Sequence, residues 1–339
     1  MAHEIPVVDI GPFLAGGDGA QAAVEIEAAA TQVGFFQVVG HGVPTAILDD
    51  VYAAARAFAA LDTTVKERFR SAHPYRGVHL RPDATGAFRL ERFLAGRFDD
   101  PAAAVAAGID AALADYYHPN VWPTGPAEFR PACRALFART QVLGGALMRL
   151  FARALGLGID GFDQVVEPNA SSFAVNHYPA GSAPASTDGP AEPAVLFHEH
   201  ADGNTLTLLH QRGDYEGLQV SRLDAPGAWI PVPVREDAFV VNLGKLMSRW
   251  TNDHWPATLH RVVASADPTH QRTTLTTFHM PALTTTIAPL AAFCGADGAH
   301  YEPLTAYESE RSSIRAYALP RGDGLQVDPA VVDFATGTR

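Results

Sequence analysis

The sequence predicts a mixed α and β fold in which helices flank a β-sandwich or barrel. Three observations carry that prediction. From Ser171 to about Met280, short runs of β-branched and apolar residues recur between Gly, Asp, Asn and Pro, as in LTLLH, GLQV, AWIPV, AFVVNLG, TLHRVV and TTLTTFH. Regular short strands of this kind build sandwiches and barrels. Ahead of Ser171 the apolar residues recur at helical spacing, in Ala-rich stretches. Hydrophobic residues make up 47% and charged residues 18% of the 339, the balance of a globular chain able to bury a large core.

In chain order, IPVVDI is a short strand before a Gly-rich turn. GAQAAVEIEAAATQV follows as a helix that stops at Gly34, a residue suited to the left-handed position past a helix end. FFQVVGHGVP is a buried strand closed by a turn, and PTAILDDVYAAARAFAALDTTVKERFR is one long amphipathic helix with Pro44 in its first turn. The segment from Tyr75 to Phe93 is read as irregular and carries Arg76, Arg81, Arg89 and Arg92. Asp99, Asp100 and Pro101 cap an Ala-rich helix, and YYHPNVWPTGP breaks the chain. A long helix is expected from about Pro126 to Leu157, interrupted at Gly144 and Gly145. SSFAVNHYP begins the strands, AGSAPASTDGPAEP is a flexible surface connection, and TAYESERSSIRAYA is a charged helix near the end.

A net charge of -12 argues against nucleic acid as a partner, because neutralising phosphates needs a basic surface. No apolar run approaches the roughly 18 residues of a membrane span. The opening MAHEIPVVDIGPF lacks the basic start and apolar core of a secretory signal. Cys133 and Cys294 are too few and too far apart for a disulfide framework or a zinc ribbon. The expectation is therefore a cytoplasmic monomer.

Between His198 and Arg272 the chemistry-bearing residues gather. Positions i and i+2 of a strand share a face, so His200 and Asp202 are expected to project together, and His260 on a separate strand can complete one face of a coordination sphere. Two imidazoles and one carboxylate with open positions form the ligand set of a non-haem Fe(II) centre.

Over nearly its whole length the chain resembles the isopenicillin N synthase-like family of Fe(II)/2-oxoglutarate-dependent oxygenases. The resemblance lies in IPVVDI through VGFFQVVGHGVP at the front, and then in NHYP, HADGNTLTLL, GLQV, LHRVV and RTTLTTFHMP in the same order. It implies a double-stranded β-helix, a jelly-roll core with helices packed outside. One domain is expected over 1–339, with an N-terminal family region at 4–125 and the core at 170–285. Carried over position by position, His200, Asp202 and His260 resemble the iron ligands. Arg272 and Thr274 resemble the Arg-x-Ser pair that holds the distal carboxylate of 2-oxoglutarate. Thr274 departs from the usual serine, but its hydroxyl can donate the same bond. Asn176 and Tyr178 match positions that touch the co-substrate in relatives.

The implied reaction oxidatively decarboxylates 2-oxoglutarate to succinate and CO2, consumes dioxygen and oxidises an unactivated C–H bond of a small molecule. Hydroxylation is the default, desaturation or cyclisation the alternatives, and bacterial members resemble enzymes that tailor specialised metabolites such as antibiotics. The residues support these roles without the resemblance. Three ligands on one face leave three exchangeable positions, and a carboxylate buried at the far end of a 2-oxo acid needs a cation, which arginine supplies as a permanently charged fork. Two rival readings stay open: an iron-dependent oxidase that does not use 2-oxoglutarate, and a barrel that only binds a metal or ligand. His198 is open between a role beside the metal and simple packing. Arg81, Arg89 and Arg92 are open between a solvated surface cluster and contacts to an anionic substrate. His177 and His254 receive no catalytic role, and Trp229, Trp250 and Trp255 are read as core or barrel-rim aromatics.

Overall fold

The computed structural model describes residues 4–82, 88–181, 193–213 and 215–318. Among these residues two facing sheets are built from β1 (Val7–Asp9), β2 (Phe35–Val39), β3 (Gly77–Pro82), β4 (Phe88–Gly96), β5 (Ser172–Tyr178), β6 (Val195–His200), β7 (Leu206–Gln211), β8 (Leu218–Ser221), β9 (Trp229–Pro231), β10 (Phe239–Leu243), β11 (His260–Val263) and β12 (Arg272–His279). The larger sheet runs β1-β2-β10-β7-β12-β5-β4-β3 and the smaller β6-β11-β8-β9. From β5 onward the chain passes back and forth between them, apart from the β8–β9 hairpin within the smaller sheet. This is the double-stranded β-helix, with helices outside it.

Period-2 alternation divides the larger sheet between two cores. On β10, Phe239, Val241 and Leu243 join the cluster under the helices, while Val240 joins the one inside the barrel. The outer cluster is covered by the helices Ala20–Gln32, Thr45–Ala59 and Phe129–Ala154. The inner cluster gathers Phe35, Leu90, Tyr178 and Val240 from the larger sheet and Leu218, Val220 and Val262 from the smaller. Covered on both faces, β10 is buried at every position and is apolar except at Asn242.

Four expectations need correction. The helix Phe129–Ala154 is unbroken at Gly144 and Gly145. A Cβ on Gly144 would stand 2.5 Å from His279 Cδ2, so the glycine permits a close helix–sheet approach and does not end the helix. The helix from Thr45 ends at Ala59, because Asp62 caps a new turn by accepting a 2.8 Å bond from the Thr64 amide. In that turn Lys66 is buried against Glu91. The described part of Tyr75–Phe93 is mostly β3 and β4, a hairpin that extends the larger sheet at the edge of β5. Arg76 is 3% exposed, donates to the carbonyls of His118 and Tyr75, and is not a solvated residue. Finally, β6 ends at His200, so Asp202 lies in the turn beyond the strand. Residues 83–87 of the hairpin and 182–192 of the expected flexible connection lie outside the described residues.

Candidate metal centre

The structure brings His200, Asp202 and His260 together. One donor atom from each lies within 4.8 Å of the others. β6 and β11 are antiparallel neighbours with His200 opposite His260, which stands the two rings side by side, centroids 4.2 Å apart. Asp202 Oδ1 faces both, 3.7 Å from His200 Nε2 and 3.9 Å from His260 Nε2. These separations are too long for hydrogen bonds, so the three groups converge without satisfying one another.

The groups behind them fix which atoms converge. His200 Nδ1 is 2.8 Å from the His198 carbonyl, and His260 Nδ1 is 3.4 Å from that of Thr258. A carbonyl only accepts, so each Nδ1 is the donor and each Nε2 is the ring nitrogen turned to the site. Burial, with His260 beside it, lowers the His200 pKa to about 4, leaving that ring neutral at pH 7. Asp202 Oδ2 accepts from Thr207 Oγ1 and, at 2.8 Å, from Asn242 Nδ2, while Thr207 accepts from Asn204 Nδ2 at 2.9 Å. Burial works to raise the Asp202 pKa, but the facing His260 and His200 and the bonds from Asn242 and Thr207 outweigh it, so the carboxyl is held below its ordinary value. The turn itself is pinned, since the amides of Lys245 and Leu246 donate to the carbonyls of Asp202 and Asn204. That approach requires Gly244, whose Cβ would fall 2.1 Å from the Asn204 carbonyl oxygen.

The triad opens into a cavity of about 60 Å³ inside the barrel, whose walls include Phe35, Leu218, Val240 and Val262. A larger open groove of about 820 Å³ along the helix Phe129–Ala154 contains none of the triad. Arg272, 2% exposed, lines the cavity. Its Nη2 donates to Gln211 Oε1 at 2.9 Å, its Nε has no hydrogen-bond partner, and its guanidinium stands 5.6 Å from the Tyr178 ring. No carboxylate among the described residues pairs with it. A buried cation in that state fits an anionic ligand. Thr274 and Asn176 are cross-strand partners on the cavity side, with Asn176 Nδ2 3.3 Å from Thr274 Oγ1, and Tyr178 is paired with Arg272.

The remaining predicted residues divide. Arg92 lines the cavity and donates from Nε to Asn176 Oδ1 at 2.8 Å. Arg81 is exposed, yet its guanidinium lies 5.5 Å from the Phe197 ring. Arg89 sits where the β3–β4 register slips between the Arg81–Leu90 and Pro82–Phe88 pairs, outside the cavity lining. His198 is exposed, and Phe197 takes the place on the cavity wall. Four residues of β6 (197–200) span three of β11 (260–262), and this bulge breaks the alternation that would have placed His198 beside His200. Sequence reasoning missed Thr207, Asn242, Gln211 and Phe197. Thr207, Asn242 and Gln211 share one signal, a polar residue in an apolar strand buried on both faces.

Comparison with known proteins gives a consistent picture. Residues 5–125 match the family described as non-haem dioxygenase in morphine synthesis N-terminal, and residues 169–281 match the 2OG-Fe(II) oxygenase superfamily. The chain is 34% identical over 277 residues to the 2-oxoglutarate-dependent dioxygenase citB of Monascus ruber, covering 76% of this chain and 80% of that one. It is 29% identical over 314 residues to the validamycin A dioxygenase of Streptomyces hygroscopicus subsp. limoneus, covering 87% and 82%. A full-length Neurospora crassa protein, solved in complex with alpha-KG, superimposes with a TM-score of 0.74 at 25% identity, covering 91% of this chain and 96% of that one.

Proposed function

The chain belongs to the 2OG-Fe(II) oxygenase superfamily, and from that premise we propose that His200, Asp202 and His260 hold its Fe(II) while Arg272 and Thr274 receive the distal carboxylate of 2-oxoglutarate. As a 2-oxoglutarate-dependent dioxygenase it acts on a small molecule and uses dioxygen. When bound, iron and 2-oxoglutarate supply the oxidative step, in which 2-oxoglutarate becomes succinate and CO2 and a substrate C–H bond is oxidised. Arg272, buried and with no carboxylate partner among the described residues, carries the reading of the pocket. It also favours use of 2-oxoglutarate over an oxidase that does without it, and over a barrel that only binds metal.

The protein's own groups do the positioning. His200 and His260 present their Nε2 atoms, because their Nδ1 atoms are committed to backbone carbonyls. Asp202 offers Oδ1, because Thr207 and Asn242 occupy Oδ2. Thr274 Oγ1 and Arg272 stand on one strand face, two residues apart, so a carboxylate between them meets a hydroxyl donor and a cation together. Asn176 and Tyr178 on β5 flank that place. The apolar walls of Phe35, Leu218 and Val262 keep water from the reacting end.

The relatives named for citB and validamycin A support a place in specialised-metabolite biosynthesis. Unpaired Cys133 and Cys294 support a cytoplasmic chain, and we read it as a monomer. No helix among the described residues is long and apolar enough to cross a membrane. Metal analysis tests the triad: wild-type protein should hold one Fe(II) per chain, and Asp202→Ala should lose iron and turnover while keeping its fold. Full iron occupancy with unchanged turnover in Asp202→Ala would sink the assignment.

A further inference from the structure

We propose that Gln211 is a positioning residue for co-substrate recognition: its amide, locked against the Pro233 carbonyl, holds the Arg272 guanidinium in place and leaves its charge for the distal carboxylate; this rests on the oxygenase reading above. Gln211 is the last residue of β7 and 1% exposed. Its cross-strand partner on β12 is Thr274, which pairs in turn with Asn176 on β5, so the amide stands in the row of residues that flanks the place of the carboxylate. Strand alternation puts Thr207, Leu209 and Gln211 on one face of β7, and Thr207 and Leu209 line the cavity. That face carries the group behind Asp202 at one end and the group behind Arg272 at the other.

Its neighbours fix which way the amide points. Gln211 Nε2 donates to the Pro233 carbonyl at 3.2 Å, and Oε1 accepts from Arg272 Nη2 at 2.9 Å. A carbonyl only accepts and a guanidinium only donates, so turning the amide over would set acceptor against acceptor and donor against donor. The Pro233 carbonyl is itself held by a second amide, because Gln37, 1% exposed on β2, donates to it from Nε2 at 2.6 Å. Gln37 and Gln211 thus converge on one oxygen, and Gln211 carries that anchorage across to Arg272.

The identity of the residue matters as much as its place. Glutamate has the same shape, but its carboxylate would pair with Arg272, cancel the charge that the co-substrate meets and set an acceptor against the Pro233 carbonyl. An apolar side chain would leave Nη2 without its bond and the guanidinium without a fixed plane. A neutral amide avoids both. It takes one N–H of the fork, and Nε, which has no partner, remains to meet an incoming oxygen. Ordering the arginine before the ligand arrives removes a cost that binding would otherwise carry.

Two 2-oxo acids separate this role from simple packing. 2-Oxoglutarate and 2-oxopentanoate share the end that chelates iron, and only the first has a distal carboxylate. Each is titrated into anaerobic Fe(II) protein, as wild type, Gln211→Met and Gln211→Glu, and read through the visible absorption of the iron–2-oxo acid chelate. Wild type should prefer 2-oxoglutarate by roughly 100-fold or more, the effect of one buried carboxylate–arginine pair. Gln211→Met should narrow that preference by about tenfold, the scale of one hydrogen bond to a charged group, and Gln211→Glu should narrow it further. Iron content and affinity for 2-oxopentanoate should stay at wild-type levels in both variants. An unchanged preference in either variant, or a parallel loss of both acids or of iron, would overturn the proposal. Failure of the oxygenase reading is distinguishable, because wild-type protein would then show no chelate absorption with 2-oxoglutarate.

Discussion

At the scale of single residues the site depends on what stands behind the ligands. Asp202 presents Oδ1 only because Oδ2 is occupied by Thr207 and Asn242, and all three side chains are almost fully buried. Groups that orient a metal-binding carboxylate typically change affinity by about 10- to 100-fold when removed. Asn242→Ala should therefore weaken Fe(II) binding by roughly that factor, measured by competition with a chelator. Thr207→Val should do the same and Thr207→Ser should restore wild-type affinity, since the hydroxyl is the group required. Unchanged affinity in Asn242→Ala and Thr207→Val would show that the carboxylate orients itself. The residues easiest to find in the sequence were those whose chemistry stands out in or beside an apolar strand: His200, Asp202, His260 and Arg272. Asn242 lies within AFVVNLG, read only as a strand, and Phe197 near two histidines looks like packing, so neither announced its place.

At the scale of elements, long-range packing decides what local pattern leaves open. Two adjacent glycines at 144 and 145 read as a break, yet the helix is continuous because Gly144 lies against His279. His279 cannot easily yield, since Thr205 Oγ1 contacts both its Nδ1 and its carbonyl. Gly144→Ala should cost about 1–3 kcal/mol by overpacking. Gly145 has only Val166 Cγ1, at 4.0 Å from an added Cβ, so Gly145→Ala should be neutral or stabilise by up to about 1 kcal/mol through helix propensity. Urea denaturation of the two variants separates these effects, and equal midpoints would remove the packing argument. The β3–β4 hairpin was hidden in the same way. Its arginines suggested a solvated loop, whereas Arg76 is buried against Gly96 and Arg92 turns inward to Asn176. The bulge in β6 moved His198 out and Phe197 in, a one-residue shift that no local pattern records.

Across the whole molecule, the order of strands and a sandwich or barrel were legible because the core strands are short, apolar and bounded by turn residues, whereas the jelly roll came from the family resemblance. How the strands share two sheets was not, since pairing is set by contacts distant in sequence. The fold also buries histidines well away from the metal. His210 and His279 are fully buried, and burial above all holds each near a pKa of about 4 against an ordinary 6.5. A depressed folded-state pKa means the unfolded chain binds protons first as pH falls. The contribution is therefore complete above 6.5, and each residue removes up to about 1.4 kcal/mol per pH unit down to about 4. The urea midpoint should fall clearly between pH 7 and pH 5. A midpoint that is flat over this window would mean that the two rings are not held neutral by burial.

The central claim is that this barrel binds 2-oxoglutarate on Fe(II) through a buried arginine, and one titration tests it most directly. Anaerobic Fe(II) protein and its Arg272→Leu variant are each titrated with 2-oxoglutarate. Without Arg272 the distal carboxylate is buried with no cation to meet it, so binding should weaken by about 3–5 kcal/mol, or roughly two to four orders of magnitude, while iron content stays at the wild-type level. Equal affinity for 2-oxoglutarate in the two proteins would contradict the claim.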